Sequence, residues 1–442
     1  MKASKYCHFR PLDEGRVAAF NARTGSYLVI TEKCRNALQS LQFVPESVSL
    51  AERMILSEFG FLLDDSEDEL RMIRTQLFIS RYQDRSIGMT IAPTMACNLA
   101  CTYCYEAGYG ATQSMSKDVE EAVIDYIKHE LIRPRPVAIN WYGGEPLVAS
   151  DQVIRMSKVL KGMAEEAGAR YSASIVTNGT LLNQFLTTQL ADLNIRSMQI
   201  TLDGPKEVHD VRRKYRTGTA SSFDAIINNL RTIDFGPIQV VIRCNVDKTN
   251  STAWKELLQQ LHDLGFHKSD KFAVYPGLVM PWGGFCSDVS DCLTEKEFVP
   301  IKWEFEAFAK GLGFRGGHRP APKGHYCGAD TAYLFTVGPD GSEYKCWNHI
   351  GDRSKVIGNI LLNLPNPSPC LDWCNYDPTK DEQCRDCDIL PICLGGCPEK
   401  ASYRERRACD LWRLEIEQNL QDWAREWHKE VGSRARLDSV SS

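Results

Sequence analysis

The sequence predicts an α/β fold built around a parallel sheet, and three observations lead to this prediction. Between residues 87 and 277, six short apolar strand patterns alternate with amphipathic stretches whose apolar spacing is about 3.6 residues. Polar or glycine-bearing segments follow these strands, at the end of the sheet where such folds carry their active sites. The cysteines gather in two fields, one directly after the first strand and one at 327–409. Six β–α repeats imply a parallel sheet covered by helices, either open or curled toward a barrel.

Composition limits the class of protein. The chain has 442 residues, 43% of them apolar and 25% charged, as is ordinary for a soluble protein that buries its own core. The net charge is −5, from 52 basic and 57 acidic residues, so no basic field suggests nucleic acid or an acidic membrane as a partner. Because we find neither an apolar run of about 18 residues nor the apolar stretch of a signal peptide, we expect a cytoplasmic protein without a membrane span.

Residues 1–86 are predicted to form a small α+β domain. Residues 16–21 and 25–30 are strand candidates, and Gly25 ends the turn between them, where a positive φ is often needed. Helical spacing follows, and the acidic residues 64–69 then open a charged helix, as a helix N-terminus favours. Two interpretations remain open for this domain: a packing extension, or a docking platform for a polypeptide partner.

The rest of the chain divides into four further segments. The core strands are predicted at 89–93, 137–142, 172–177, 198–202, 238–243 and 272–275. The segments are a core at 87–280, a bridge at 281–326 with a helix near 295–310, the second cysteine field at 327–410, and a helix with a frayed tail at 411–442. The second cysteine field has little periodic apolar sequence, so we expect metal to organise it.

Three cysteines follow the first core strand on one short loop. Cys97, Cys101 and Cys104 have the spacing C-x3-C-x2-C. In a reducing cytosol, clustered thiols are typical of metal ligands rather than of disulfides. Three thiolates can bind three irons of a cubane and leave the fourth iron open to another ligand. A closed zinc site would need a fourth protein ligand, and the nearby sequence offers none.

This loop, followed by Tyr105-Glu106, resembles that of the radical S-adenosylmethionine (SAM) enzymes. Gly143-Gly144-Glu145-Pro146 is similar to the GGEP motif of that family, which holds the amino group of the cofactor's methionine. The glycines allow close backbone approach, and Glu145 offers an anion to an ammonium group. The resemblance implies a partial (β/α)6 TIM-type barrel. It also implies these cofactor-binding residues: Tyr103 at the adenine, Gly143, Gly144, Glu145, Pro146, Thr177, Asn178, Asp203, Arg212 and Asn245.

The resemblance implies reductive chemistry. An electron, from a donor such as flavodoxin or ferredoxin, cleaves the cofactor, and the 5′-deoxyadenosyl radical that results takes hydrogen from an unactivated C–H bond. Arg212 or Arg213 is expected to pair with the cofactor's carboxylate, although either is also explained as a solvated surface charge. Arg243 and Asn245 fit a polar strand end similarly. No catalytic side chain is singled out, because too many acidic residues follow the strands.

The second cysteine field resembles the SPASM domain, which carries two auxiliary [4Fe–4S] clusters and would bring the total to three. The resemblance implies that the distal cluster is bound by Cys384, Cys387, Cys393 and Cys409. It implies that the nearer cluster is bound by Cys327, Cys346 and Cys397. The fourth ligand of the nearer cluster stays open among Cys286, Cys292, Cys370, Cys374 and a substrate thiolate. A zinc ribbon is the alternative for the C-x2-C pair at 384–387.

Enzymes with SPASM domains mostly modify peptides or proteins. Residues 1–86 look similar to leader-peptide recognition domains, in which an edge strand captures an extended leader. We therefore expect a maturase of a ribosomally made precursor peptide (a RiPP maturase) that installs a thioether or carbon–carbon cross-link. One alternative is an anaerobic sulfatase maturase that forms formylglycine, although Trp347 stands where that family has an aspartate base. Peptide epimerisation is less favoured, and a non-catalytic, metal-stabilised peptide-binding scaffold is the alternative of another class.

Overall fold

The structure is a computed structural model that describes residues 1–13, 15–40, 48–83, 86–108, 112–280, 291–362, 364–365, 372–403 and 409–440. The chain divides into two compact units. Unit 1 comprises residues 1–83, 318–331 and 373–442, and unit 2 comprises residues 84–317 and 332–372. The N-terminal segment thus shares a unit with most of the second cysteine field. The domain boundaries given above remain predictions.

The secondary structure follows in chain order. The strands are β1 (Lys2–Ala3), β2 (Cys7–Pro11), β3 (Arg16–Asn21), β4 (Ser26–Thr31), β5 (Leu62–Leu63), β6 (Ile87–Ile91), β7 (Val137–Trp141), β8 (Tyr171–Thr177), β9 (Ile195–Thr201), β10 (Gln239–Val246), β11 (Phe272–Leu278), β12 (Phe335–Val337), β13 (Ser342–Tyr344), β14 (Gly358–Asn359) and β15 (Leu364–Pro365). The helices are α1 (Glu32–Gln39), α2 (Leu50–Glu58), α3 (Glu69–Tyr82), α4 (Lys117–Glu130), α5 (Ser150–Glu166), α6 (Gln184–Asp192), α7 (Lys206–Arg212), α8 (Ser222–Thr232), α9 (Trp254–Asp263), α10 (Glu295–Gly311), α11 (Glu382–Arg385), α12 (Leu390–Cys393), α13 (Pro398–Tyr403) and α14 (Trp412–Val440).

Unit 1 is built on an antiparallel sheet of order β2–β3–β4 that is buried on both faces. Successive side chains of a strand point to opposite faces. Val17 and Ala19 accordingly pack into a core with α1 and α2, whereas Ala18 and Phe20 pack into a second core with α3, α12 and α14. The two predicted strands coincide with β3 and β4, and Gly25 between them has φ +75°. β2 was not predicted, because its alternation of apolar Cys7 and Phe9 with polar His8 and Arg10 spans only four residues before Pro11.

Unit 2 confirms the predicted α/β fold with a parallel sheet. The strands β6 to β11 lie side by side in chain order and pair in parallel, with helices α4 to α9 in the connections. Each coincides with a predicted core strand. β12 adds a seventh parallel strand beside β6, and β13 to β15 extend that edge with antiparallel pairing. These last strands were not predicted, because each has only two or three residues.

The bridge helix predicted near 295–310 is α10. Its start carries a capping box, in which the Thr294 hydroxyl accepts from the Glu297 N–H and the Glu297 carboxylate accepts from the Thr294 N–H. Throughout the described ranges, no helix is both long and apolar enough to cross a membrane.

Candidate active site

A cavity of about 450 Å³ opens in unit 2 at the carboxyl ends of β6 to β11. Parallel α/β folds carry their active sites at this end of the sheet. Most of the predicted site residues of the core line this one cavity: Cys97, Cys101, Tyr103, Cys104, Gly143, Gly144, Glu145, Thr177, Asn178 and Asn245. Three others, Pro146, Asp203 and Arg212, are buried but do not line its wall.

The three thiols of the first cysteine loop face the cavity together. The Leu99 N–H donates to Cys97 Sγ over 3.4 Å, and the Cys104 N–H donates to the Cys101 carbonyl over 3.2 Å. Burial raises the pKa of Cys97 to about 11 and that of Cys104 to about 12. The thiols are therefore neutral at pH 7 unless a cation compensates the thiolates, as a bound metal cluster does. A set of three cavity-facing thiols fits three corners of a cubane.

The Gly143-Gly144-Glu145 turn is joined to the segment that leads into the cysteine loop. The Gly144 N–H donates to the Thr94 carbonyl over 3.1 Å, and the Glu145 N–H donates to the Ala96 carbonyl over 2.9 Å. A Cβ at position 144 would lie 2.4 Å from the Met95 carbonyl oxygen, too close for any side chain. Only glycine at this position allows the two backbone segments to meet.

Glu145 is a buried carboxyl group in the cavity wall. Its oxygens accept from Thr177 Oγ1 over 2.7 Å, from the Asn178 N–H over 2.6 Å and from the Leu147 N–H over 3.0 Å. Burial raises its pKa above the ordinary value, although these hydrogen bonds oppose the shift. No lysine or arginine of the described chain forms an ion pair with it. An ammonium group in the cavity would supply the missing positive charge, so this wall fits the amino group of SAM.

Tyr103 is held by three polar groups around its hydroxyl. The hydroxyl donates to Asp203 Oδ2 over 2.5 Å and accepts from Arg213 Nη1 over 2.7 Å and from Asn245 Nδ2 over 3.1 Å. The ring is therefore fixed in the cavity wall. Asp203, although outside the wall, is the acceptor that orients this hydroxyl.

The structure distinguishes Arg212 from Arg213, which the sequence left as alternatives for binding the cofactor's carboxylate. Arg212 Nη1 donates to both carboxylate oxygens of Asp247, over 2.9 and 2.8 Å, and to Thr249 Oγ1 over 2.6 Å. Arg213, in contrast, lines the cavity beside Tyr103. Of the two, Arg213 is the guanidinium placed to meet an anion there.

Several wall residues were not predicted as site residues. Tyr142 stacks on Trp347 with ring centroids 5.8 Å apart, its hydroxyl lies 2.7 Å from that of Tyr105, and Trp347 is 49% exposed. Glu106 also lines the cavity; burial raises its pKa to about 8, and its Oε1 has no hydrogen-bond partner among the described residues. Arg243 lines the wall at the end of β10. Arg243 was expected as part of a polar strand end together with Asn245, and both line the cavity.

The second cysteine field supplies a four-thiol site within unit 1. Cys384, Cys387, Cys393 and Cys409 line one small cavity. Cys393 Sγ accepts from the Asp410 N–H over 3.3 Å, and Cys409 Sγ accepts from Arg413 over 3.5 Å. Four thiols at one cavity, two of them with a donor to the sulfur, fit a [4Fe–4S] cluster. Across the described residues, no three His, Cys, Asp or Glu side chains are placed to hold a single metal ion.

The remaining predicted ligands stay predictions. Cys327 and Cys397 belong to unit 1, and Cys346 belongs to unit 2. Of the four candidates for a fourth ligand, Cys374 is buried in unit 1 and Cys292 is partly exposed in unit 2. Cys286 and Cys370 lie outside the described residues.

A parallel sheet that carries a three-cysteine loop and a Gly-Gly-Glu turn at one cavity defines a radical SAM type of site. Residues 91–261 match the radical SAM superfamily. The chain is 33% identical over 330 residues to the mycofactocin maturase MftC of Mycolicibacterium smegmatis. This alignment covers 71% of this chain and 78% of that protein. The chain belongs to the radical SAM superfamily, which implies a [4Fe–4S] cluster and SAM.

Two further similarities are more distant. The chain is 23% identical over 352 residues to a cysteine-type anaerobic sulfatase-maturating enzyme of Clostridium perfringens, across 74% of this chain and 92% of that protein. The crystal structure of Streptococcus suis SuiB bound to precursor peptide SuiA aligns with a TM-score of 0.50 and 16% identity, over 91% of this chain and 97% of that chain. At this identity the structural likeness shows the fold alone.

Proposed function

We propose that this chain is a maturase that abstracts a hydrogen atom from a ribosomally made precursor peptide and installs a side-chain cross-link, either a thioether or a carbon–carbon bond. The names of its relatives support a peptide or protein substrate: one is a mycofactocin maturase, one a sulfatase-maturating enzyme, and SuiB binds a precursor peptide. The SPASM-like cysteine field and the N-terminal sheet support the same substrate class.

The residues of the cavity divide the work of binding. Cys97, Cys101 and Cys104 would hold the cluster, which with SAM supplies one-electron reduction and hydrogen-atom abstraction that no side chain provides. Glu145 would hold the ammonium group of the cofactor, and Arg213 would pair with its carboxylate; both side chains line the cavity. Tyr103, whose hydroxyl is fixed by hydrogen bonds, would offer its ring to the adenine. Buried polar groups held in this way position a ligand without reorganisation and keep water away from the reacting atoms.

One observation favours cross-linking over formylglycine formation. The residue after Cys346 is Trp347, and its ring lines the cavity and stacks on Tyr142. A carboxylate base at this position, as the resemblance assigns to sulfatase maturases, is therefore replaced by an aromatic surface. Formylglycine formation remains the second candidate, because the Clostridium perfringens enzyme is matched over 92% of its length.

The N-terminal sheet of unit 1 suits the leader part of a precursor peptide. β2 and β4 are the two edge strands of that sheet. An extended peptide adds to such an edge through main-chain hydrogen bonds, largely independently of its sequence. We propose that the leader binds there. The four-thiol site of unit 1 would hold an auxiliary cluster that would accept the surplus electron after the link forms. Since that cluster would have a protein thiolate on each of its four irons, a substrate cysteine could be ligated only at the nearer auxiliary cluster, whose fourth ligand is open.

The test is an anaerobic assay of cluster-replete protein. After reduction with dithionite, mass spectrometry should detect 5′-deoxyadenosine from SAM, and the Cys97→Ala/Cys101→Ala/Cys104→Ala variant should form none. With the peptide encoded beside the gene, cross-linking should remove two hydrogen atoms and leave no aldehyde that reacts with a hydrazine probe. Aldehyde formation would favour the second candidate. A cluster-replete protein that forms no 5′-deoxyadenosine would contradict both.

A further inference from the structure

Arg243 occupies a defined position in the cavity wall. It lies near the end of β10 and pairs in register with Thr201 of β9 and Tyr275 of β11. Its Nε donates to Asn245 Oδ1 over 2.7 Å, and its guanidinium lies 5.9 Å from the ring centroid of Tyr275. The hydrogen bond uses the inner edge of the guanidinium and leaves the two terminal amino groups for another acceptor.

The neighbouring strand is shaped to leave room for this side chain. Gly277 lies on β11, two residues after Tyr275 and therefore on the same face of the sheet. A Cβ at Gly277 would lie 2.4 Å from Arg243 Nε and 2.8 Å from its Nη2. Tyr275 is itself held, because its hydroxyl donates to Gln199 Oε1 over 2.6 Å. The guanidinium thus rests between a fixed ring and a glycine.

Arg243 has a positive charge that the described chain does not neutralise. No carboxylate of the described residues forms an ion pair with it. The acids of the adjacent strand ends, Asp203 and Asp247, both pair with Arg212 instead. A partly buried cation is costly without a counter-charge, and a guanidinium presents a planar fork that matches a carboxylate.

Arg243 shares the cavity wall with the aromatic pair Tyr142 and Trp347. The ring of Tyr142 stacks on that of Trp347, which is half-exposed. Arg213, which faces the Tyr103 side of the cavity, is already available for the carboxylate of SAM.

We propose that Arg243 anchors a carboxylate of the substrate, supplied either by the C-terminus of the peptide or by an Asp or Glu side chain near the modified residue. The two cavity arginines then have separate ligands, with Arg213 on the cofactor and Arg243 on the substrate. This inference rests on the proposed function, because it requires a peptide to enter the cavity.

The test measures peptide binding to the full-length, cluster-replete protein with SAM. Fluorescence anisotropy would follow dye-labelled pentapeptides of one common sequence in three forms: a free C-terminal carboxylate, an internal Asp or Glu with an amidated C-terminus, and a form with no carboxylate. We expect at least one carboxylate form to bind about tenfold or more tightly than the uncharged form, since a charge-assisted pair is worth that much. The form that binds better identifies which carboxylate is recognised.

Four variants test whether Arg243 is the source of that carboxylate preference. Arg243→Gln should abolish it, and Arg243→Lys should retain part of it. Gly277→Ala should weaken it while the charge stays in place, because the new methyl group displaces the guanidinium. The control is Arg196→Gln, which removes an exposed arginine at the opposite end of β9 and should change nothing.

Equilibrium dialysis with labelled SAM completes the test. Arg243→Gln should keep the wild-type affinity for SAM, whereas Arg213→Gln should lower it. The proposal is overturned if wild-type protein shows no carboxylate preference, if the preference survives in Arg243→Gln, or if Arg243→Gln loses SAM affinity as Arg213→Gln does. A carboxylate preference that depends on Arg243, in a protein that makes no cross-link, would refute the proposed reaction and leave the anchor in place.

Discussion

Gly144→Ala should separate the Gly-Gly-Glu turn from the segment before the cysteine loop. The new Cβ would start 2.4 Å from the Met95 carbonyl oxygen and 2.6 Å from that of Ala96, and it must move to at least 3.0 Å. Both obstacles are backbone atoms, so no side-chain rotation relieves the overlap. Gly144 has no positive φ, so the effect is one of space and not of backbone strain.

The cost of this substitution follows from the contacts that must yield. Two hydrogen bonds join the segments, from Gly144 N–H to Thr94 and from Glu145 N–H to Ala96. Losing them costs about 1 kcal/mol each, and overpacking adds about 1–3 kcal/mol, so we expect a local loss of about 3–5 kcal/mol. A displacement of this kind also misplaces Glu145, and a misplacement of about 1 Å in an active site can cost about a hundredfold in rate.

Hydrogen exchange, iron content and 5′-deoxyadenosine formation would measure the effect of Gly144→Ala. The amides of residues 144 and 145 should exchange about a hundredfold faster or more, since about 1.4 kcal/mol corresponds to a factor of ten. The control is Gly162→Ala in α5, where the Cβ meets no atom within 4 Å and helix stability should rise by about 0.5–1 kcal/mol. Wild-type exchange, iron content and cofactor cleavage in Gly144→Ala would refute the steric argument.

Three further predictions concern other parts of the chain. Arg81→Met should destabilise unit 1 by about 3–5 kcal/mol in thermal or denaturant unfolding, because it leaves the fully buried Asp330 without its cation; a loss under 1 kcal/mol would contradict this. His209 is buried and neutral, and burial followed by the charge of Arg213 lowers its pKa to about 3. The stability that neutral His209 contributes is therefore fully present above the unfolded pKa of 6.5, and the free energy of unfolding falls as the pH drops toward 3, by about 2 kcal/mol between pH 8 and pH 5. His209→Gln should reduce this pH dependence in unfolding curves. An unchanged pH dependence would show that His209 is not its source. Substituting Cys384 and Cys387 by Ala should lower the iron content and abolish the peptide product but leave 5′-deoxyadenosine formation measurable; a product yield equal to that of wild type would argue against an auxiliary cluster there.

Much of the fold was predictable because its signals are local. An apolar run with helical spacing on either side predicts each core strand, and a capping box marks the start of α10. The short strands β12 to β15 carry no such signal. They exist because β12 pairs with β6, whose residues lie 246 positions earlier in the chain. A segment of two or three residues contains no local signal for pairing over such a distance.

The candidate site shows the same division. The cysteine loop and the Gly-Gly-Glu turn are contiguous motifs, and their resemblance to those of radical SAM enzymes implied their chemistry. The choice between Arg212 and Arg213 could not be read in that way, because adjacent residues at the end of α7 point in different directions and only the packed structure assigns Asp247 to one of them.

By itself, the sequence determined the motifs that resemble those of radical SAM enzymes, since the cysteine spacing and the glycine positions extend over a few residues and do not depend on the rest of the fold. Only the tertiary structure decided what surrounds that chemistry. Trp347 and Arg243 come from segments about a hundred residues apart, and they line one cavity because both lie near strands of a single sheet. The grouping of residues 1–83 with 373–442 is likewise a matter of side-chain packing, in which apolar faces distant in sequence exclude water together.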